Sequence, residues 1–139
     1  MYLSKLLNVF DSTTPVVLTS NAVIKKFAAV REFNLRRVAV GITTLTSSSG
    51  GIVVTISRYP TMGANTSAVV LGTITIPSAT AVGSVYYKDL TTVYKILPGQ
   101  ELVFEVTTAA TSAGAGVCMF DADDSPETAA NITSMTASA

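Results

Sequence analysis

The sequence predicts an all-β fold, a single antiparallel β-sandwich or jelly roll of about eight strands. Three observations predict it. After the turn at Pro98-Gly99, Leu102, Phe104 and Val106 fall on one side of a strand, and Glu101, Val103, Glu105 and Thr107 fall on the other. Similar alternating runs recur along the chain, with turn signals every ~8–12 residues. Charged residues are only 13% and hydrophobic ones 48%, with Thr, Ser, Ala, Val and Gly dominant, a composition that favours strands and turns over helices. At 139 residues the chain is one domain, long enough to bury a core without disulfides or metals.

Taken in order, residues 1–15 read as an amino-terminal arm. Leu3, Leu6, Leu7 and Phe10 have helical spacing, but the run is too short for a stable isolated helix, and Asp11-Ser-Thr-Thr-Pro15 ends it. Such an arm either folds back on its own domain or docks its apolar side chains on a partner. The sandwich proper spans 16–121. In AVIKKFAAVREF, Val23, Phe27 and Val30 fit a helix face, whereas Ile24, Ala28 and Val30 fit a strand only loosely; the all-β context favours the strand. Val38, Val40 and Ile42 alternate with Ala39, Gly41 and Thr43. The turn Ser47 to Gly51 and the alternation of Ile52, Val54 and Ile56 then predict a hairpin. Further strands are expected over 69–76, 85–88, 93–97, 101–108 and 115–120, and residues 122–139 read as a carboxy-terminal tail.

Charge is balanced at a formal net of zero. That argues against nucleic acid as a partner, since phosphate binding needs an excess of Lys and Arg. Low charge also suits a surface covered by neighbours better than a freely dispersed monomer. The distribution is uneven: Lys5, Lys25, Lys26, Arg31, Arg36, Arg37 and Arg58 lie in the first half, while Asp89, Glu101, Glu105, Asp121, Asp123, Asp124 and Glu127 lie in the second. One pole of the molecule could meet the opposite pole of a neighbour. No segment approaches the ~20 apolar residues of a membrane helix. The amino terminus lacks the pattern of a secretory signal. The expectation is a protein made in a cytoplasm, with no membrane partner.

The residues offer little chemistry. Histidine is absent, which removes the commonest general base and most zinc sites. The single cysteine, Cys118, reads as a buried, inert thiol. Glu101 and Glu105 stand four residues apart on one strand, roughly 13 Å, too far for a glycosidase pair, and read as solubilising charges on an exposed face. Asp121, Asp123 and Asp124 resemble a calcium loop, but Pro126 replaces the required glycine and Ile132 the required glutamate. Lys25 and Lys26 with Arg31, Arg36 and Arg37 form the only basic cluster, better suited to an acidic neighbour or a solvated face than to nucleic acid. The reading is therefore a non-enzyme with no cofactor and no metal.

Several segments carry a resemblance: Lys25-Lys26-Phe27-Ala28-Ala29, IVVTISRYPT (52–61), GTITIPSATAVGSVYYKDL (72–90), LPGQELVFEVTTAATSAG (97–114) and the tail from Ser125-Pro126-Glu127 to Met135. In these the chain resembles the small jelly-roll cement and decoration proteins of tailed bacteriophages. The resemblance implies a jelly-roll body on the capsid exterior that clamps neighbouring major capsid subunits. Its implied partners are the major capsid protein and itself, as a dimer or trimer on the lattice. Under that implication the partner contacts fall to the arm (Leu3, Leu6, Leu7, Phe10), the basic residues Lys25, Lys26, Arg36 and Arg37, and the acidic residues Asp121, Asp123 and Asp124. Two alternatives stay open: a head-fibre base, or a receptor- or carbohydrate-binding module using Tyr59, Tyr86, Tyr87 or Tyr94.

Overall fold

The computed structural model describes residues 6–10, 14–29, 32–47, 51–63 and 68–123. Alternating sequence becomes strand throughout: β1 (Leu6–Phe10), β2 (Val16–Val17), β3 (Val23–Ala28), β4 (Phe33–Ser47), β5 (Ile52–Tyr59), β6 (Val69–Ile76), β7 (Val85–Ile96), β8 (Glu101–Thr108) and β9 (Ala113–Asp123). Among the described residues there is no helix. The strands form two antiparallel sheets, a β-sandwich. The first sheet has the order β1-β9-β4-β7, with β2 also on β9, and the second has the order β3-β8-β5-β6.

The pairing has a simple rule. The first half of the chain pairs with the second half in reverse order: β2 with β9, β3 with β8, β4 with β7 and β5 with β6. Successive pairs fall on alternate sheets, and the β4–β9 and β5–β8 pairings join them within each sheet.

The predicted β4–β5 hairpin does not form. β4 pairs with β7 and β9 in the first sheet, β5 with β6 and β8 in the second, so the 47–51 connection crosses between sheets. A Ser/Gly turn serves a hairpin and a sheet-to-sheet corner equally well, and the distant partners decide. Nor does the helical spacing of Leu6, Leu7 and Phe10 produce a helix. Their backbone pairs with β9, Leu6 opposite Asp123 and Phe10 opposite Met119, which satisfies peptide groups that a short isolated helix could not hold. The ambiguous segment after Ala22 is the strand β3, and the two pieces expected at 85–88 and 93–97 are one strand, β7.

The inward faces make one core. Leu35, Val38, Val40 and Ile42 from β4, with Cys118, Phe120 and Ala122 from β9, meet Val54, Ile56, Leu102, Phe104 and Val106 from the second sheet. Each large side chain fully buried there contributes about 1.5–3 kcal/mol. A phenylalanine cluster joins the sheets. Phe27 meets Phe104 (5.8 Å) and Phe120 (5.0 Å) edge-on, and Phe33 stacks on Phe120 at 5.5 Å.

Turn chemistry follows the sequence closely at Leu97-Pro98-Gly99-Gln100. Gln100 N–H donates to Leu97 O (3.0 Å), Gly99 has φ 89°, and Leu97 N–H donates to the Gln100 side-chain oxygen (2.9 Å), the geometry of a type II turn. The β6–β7 loop is pinned by hydroxyls. Thr80 N–H donates to Thr46 Oγ1 (2.7 Å), Thr46 N–H to Thr80 O (3.1 Å), and Thr80 Oγ1 to Pro77 O (2.6 Å).

Candidate binding face

The outward face of the first sheet is built from three rungs across β7, β4 and β9. Register places Asp89, Arg37 and Asp121 side by side, then Tyr87, Ala39 and Met119, then Val85, Gly41 and Val117. The cause is the sequence VAVGI: Val38, Val40 and Ile42 turn inward, so the small Ala39 and Gly41 face out between larger neighbours on both sides. A β-carbon on Gly41 would lie 3.1 Å from Met119 Cε and 3.4 Å from Val117 Cγ2, so Met119 rests over that open position.

The result is a shallow groove of ≈ 240 Å³ with Ala39 on its floor, Tyr87 and Val85 on one wall and Met119 on the other. Tyr87 and Val85 are 55% and 53% exposed although they are apolar or aromatic. Arg37 and Asp121 occupy one end. Arg37 leans toward β7: its Nε donates to Asp89 Oδ1 at 2.5 Å, and its guanidinium lies 4.1 Å from the Tyr87 ring centroid. The Asp89 hydrogen bond holds the Arg37 pKa above its ordinary value. Partial desolvation opposes this, and the charges of Asp89, Tyr87 and Asp121 assist.

Of the residues proposed from sequence, the fold brings Arg37 and Asp121 together as cross-strand neighbours. The basic cluster disperses. Lys25 and Lys26 lie on β3 in the second sheet, Lys25 with its ammonium 5.7 Å from the Phe27 ring and Lys26 opposite Val103, while Arg36 sits where the β4 register shifts between Leu35 and Arg37. Leu6, Leu7 and Phe10 are strand residues of β1, and Asp123 ends β9 opposite Leu6; the side chains of these four lie outside the described portion. Leu3, Arg31 and Asp124 lie outside the described residues.

Glu101 departs from expectation. It is only 7% exposed, and its Oε1 accepts the backbone N–H of Gly63 at 2.8 Å. Met62 N–H in the same loop donates to Gly99 O (2.9 Å), so the β5–β6 connection is clasped to the start of β8 and the carboxylate is a structural acceptor. The sequence points to Tyr87 only under the carbohydrate-binding alternative and to Asp89 only as one of the acidic charges, and it does not single out Met119. The outward alternation of Val85, Tyr87 and Asp89 was the available signal. Cys118 lies in the core, where burial pushes its thiol up to about 12 against a weak opposing effect of Lys25, so it stays protonated and unreactive at neutral pH. Among the described residues no three acidic or cysteine side chains gather as metal ligands, and no helix is long and apolar enough to cross a membrane.

The chain matches no protein-family model and no curated protein.

Proposed function

We propose that this chain is a virion structural protein, a cement or decoration protein with a jelly-roll body. In this role it binds the outer capsid lattice of a tailed bacteriophage and clamps neighbouring major capsid subunits. The observation that carries the reading is the strand order. β2-β9-β4-β7 against β3-β8-β5-β6, with the chain's halves paired in reverse, is the order produced when a double ribbon is rolled into a jelly roll. The resemblance of the segments around 25–29, 52–61, 72–90 and 97–114 supports the same conclusion.

Physical features agree with a scaffold that works by contact. The sandwich is rigid, so little ordering entropy is lost on binding. Its sheets end in the strands β7, β6 and β3 and in β1 with β2, and strand edges accept a partner's backbone. The partners in this reading are the major capsid protein and further copies of the chain itself, as a dimer or trimer.

The test is the copy number of the chain in gradient-purified particles, measured by quantitative mass spectrometry against the major capsid protein. A simple fraction of the capsid subunit, in the hundreds, is the expected result. A few to a few dozen copies would replace the lattice-wide cement with a head-fibre base. Absence from particles would overturn the virion reading.

A further inference from the structure

The groove on the first sheet joins two properties rarely found in one place. Its floor and walls are apolar, from Ala39, Val85, Tyr87 and Met119, and one end is charged, with Arg37 and Asp121 in the lining. The rung there holds Asp89, Arg37 and Asp121, one negative charge in excess. Arg37 makes its hydrogen bond and ring contact on the β7 side, with Asp89 and Tyr87, and feels Asp121 through charge alone. Asp121, on the β9 side, lines the groove and makes no hydrogen bond or ion pair among the described residues. A carboxylate with unspent acceptors therefore stands at the end of an apolar trough.

Size narrows the ligand. A volume of ≈ 240 Å³ falls below the ~300–1,000 Å³ of small-molecule sites, so the groove takes a side chain and not a cofactor. Only lysine and arginine combine a long apolar stem with a cationic tip. The stem would lie over Ala39 between Tyr87 and Met119, whose thioether adapts to shape, and the tip would reach Asp121. The net negative charge of the rung favours a cation over a carboxylate there.

We propose that this groove is a docking site for an extended segment of a partner protein that presents a lysine or arginine beside an apolar residue. If the capsid reading holds, the segment belongs to the lattice subunit; the chemistry of the groove does not depend on that reading.

The experiment is an NMR titration of the ¹⁵N-labelled full chain with three ligands: acetyl-Leu-Arg-Val-amide, acetyl-Leu-Glu-Val-amide and acetyl-arginine-amide. The arginine tripeptide is expected to shift the amides of Ala39, Gly41, Tyr87 and Asp121, with a dissociation constant of about 1 mM, typical of one anchored side chain. The glutamate tripeptide should bind at least about tenfold more weakly, and the single blocked arginine about fivefold more weakly. Asp121→Asn, a surface change, should weaken the arginine tripeptide at least about fivefold while leaving the rest of the spectrum in place. No shifts on this face, equal response to the glutamate tripeptide, equal binding of the single arginine, or an unaffected Asp121→Asn variant would each overturn the proposal. Peptide binding by a chain absent from particles would sink the capsid reading alone. A negative titration with a chain abundant on particles would sink the groove alone.

Discussion

The two sheets share one core but turn different faces outward. On the first sheet the central strand presents Ala39 and Gly41 between Tyr87, Val85, Met119 and Val117, leaving a trough with Arg37 and Asp121 at one end. On the second, the outward rungs carry hydroxyls: Thr55 opposite Thr73, Val53 opposite Thr75, and Ser57 opposite Val103. One of them, Thr55, is satisfied by a neighbour on β8. Thr55 and Thr107 share a hydrogen bond of 3.0 Å, and Thr107 Oγ1 donates to Val53 O at 3.4 Å. The second sheet is also partly covered, since a loop residue, Gly63, bonds to the buried Glu101, and Val103 is buried at its outward position. An outward position in a sandwich is thus not the same as an exposed one. What remains to bind a partner depends on which rungs leave polar groups unspent.

The sharpest way to break this comparison uses one glycine from each sheet. A β-carbon on Gly116 in β9 would lie 2.6 Å from the Gly41 carbonyl oxygen, a backbone atom that cannot step aside, whereas one on Gly72 in β6 would meet only Leu90 and Lys88 side chains at 3.6 Å. Gly116→Ala is expected to lower unfolding free energy by about 3 kcal/mol in urea denaturation. Gly72→Ala should be neutral or slightly stabilising, because a strand glycine carries an entropic cost. Equal effects would show that the close β4–β9 approach beneath the groove is not a constraint.

The acidic groups test the same contrast at smaller scale. Glu101→Ala removes the acceptor for the Gly63 N–H and should cost about 2 kcal/mol. Asp121→Asn should leave the denaturation midpoint within error, since Asp121 carries no hydrogen bond among the described residues. A stability loss at Asp121 equal to that at Glu101 would make it another structural clasp and remove it as a binding group.

The inward side of the first sheet supplies the smallest effect. The Cys118 thiol is raised in the native state from 9.0 to about 12, so the folded protein holds its proton where the unfolded chain gives it up. The stabilisation is fully present below about pH 9 and is lost as pH rises toward about 12, by about 1.4 kcal/mol per pH unit. Comparing wild type with Cys118→Ala isolates this from tyrosine and lysine titration: wild type should lose about 1 kcal/mol more between pH 9 and pH 10, where the unfolded thiol is still only partly ionised. Parallel curves for the two proteins would mean that the thiol is not desolvated.

Much of the architecture is legible in the residues themselves. β6 and β8 have the bounds that Pro77 and Pro98-Gly99 announce, and the Val38/Val40/Ile42 alternation is buried as read. Local turn chemistry also carries the type II turn at Leu97–Gln100. Strand partners are another matter. Ser47 to Gly51 looks the same whether it closes a hairpin or carries the chain to the opposite sheet. The pairing of Arg37 with Asp121 needs two segments from opposite halves of the chain to come into register. Exposure of Glu101 was misjudged for a related reason, because the group that covers it comes from the β5–β6 loop. Periodicity reports which side of a strand a residue takes; it says nothing about what lies across from it.

The pairing of β1 with β9 has a mechanical corollary. Because β1 runs antiparallel to β9 with Leu6 opposite Asp123, the chain enters and leaves this sheet at neighbouring points. Tension applied between those points meets the β1–β9 ladder end-on and opens it one hydrogen-bonded pair at a time. Load carried across the sandwich, from β7 toward β3, is shared by whole sheets and the core between them. The body is therefore weak to peeling by its two ends and strong to spreading from its sides, a direction-dependent resistance set by topology alone.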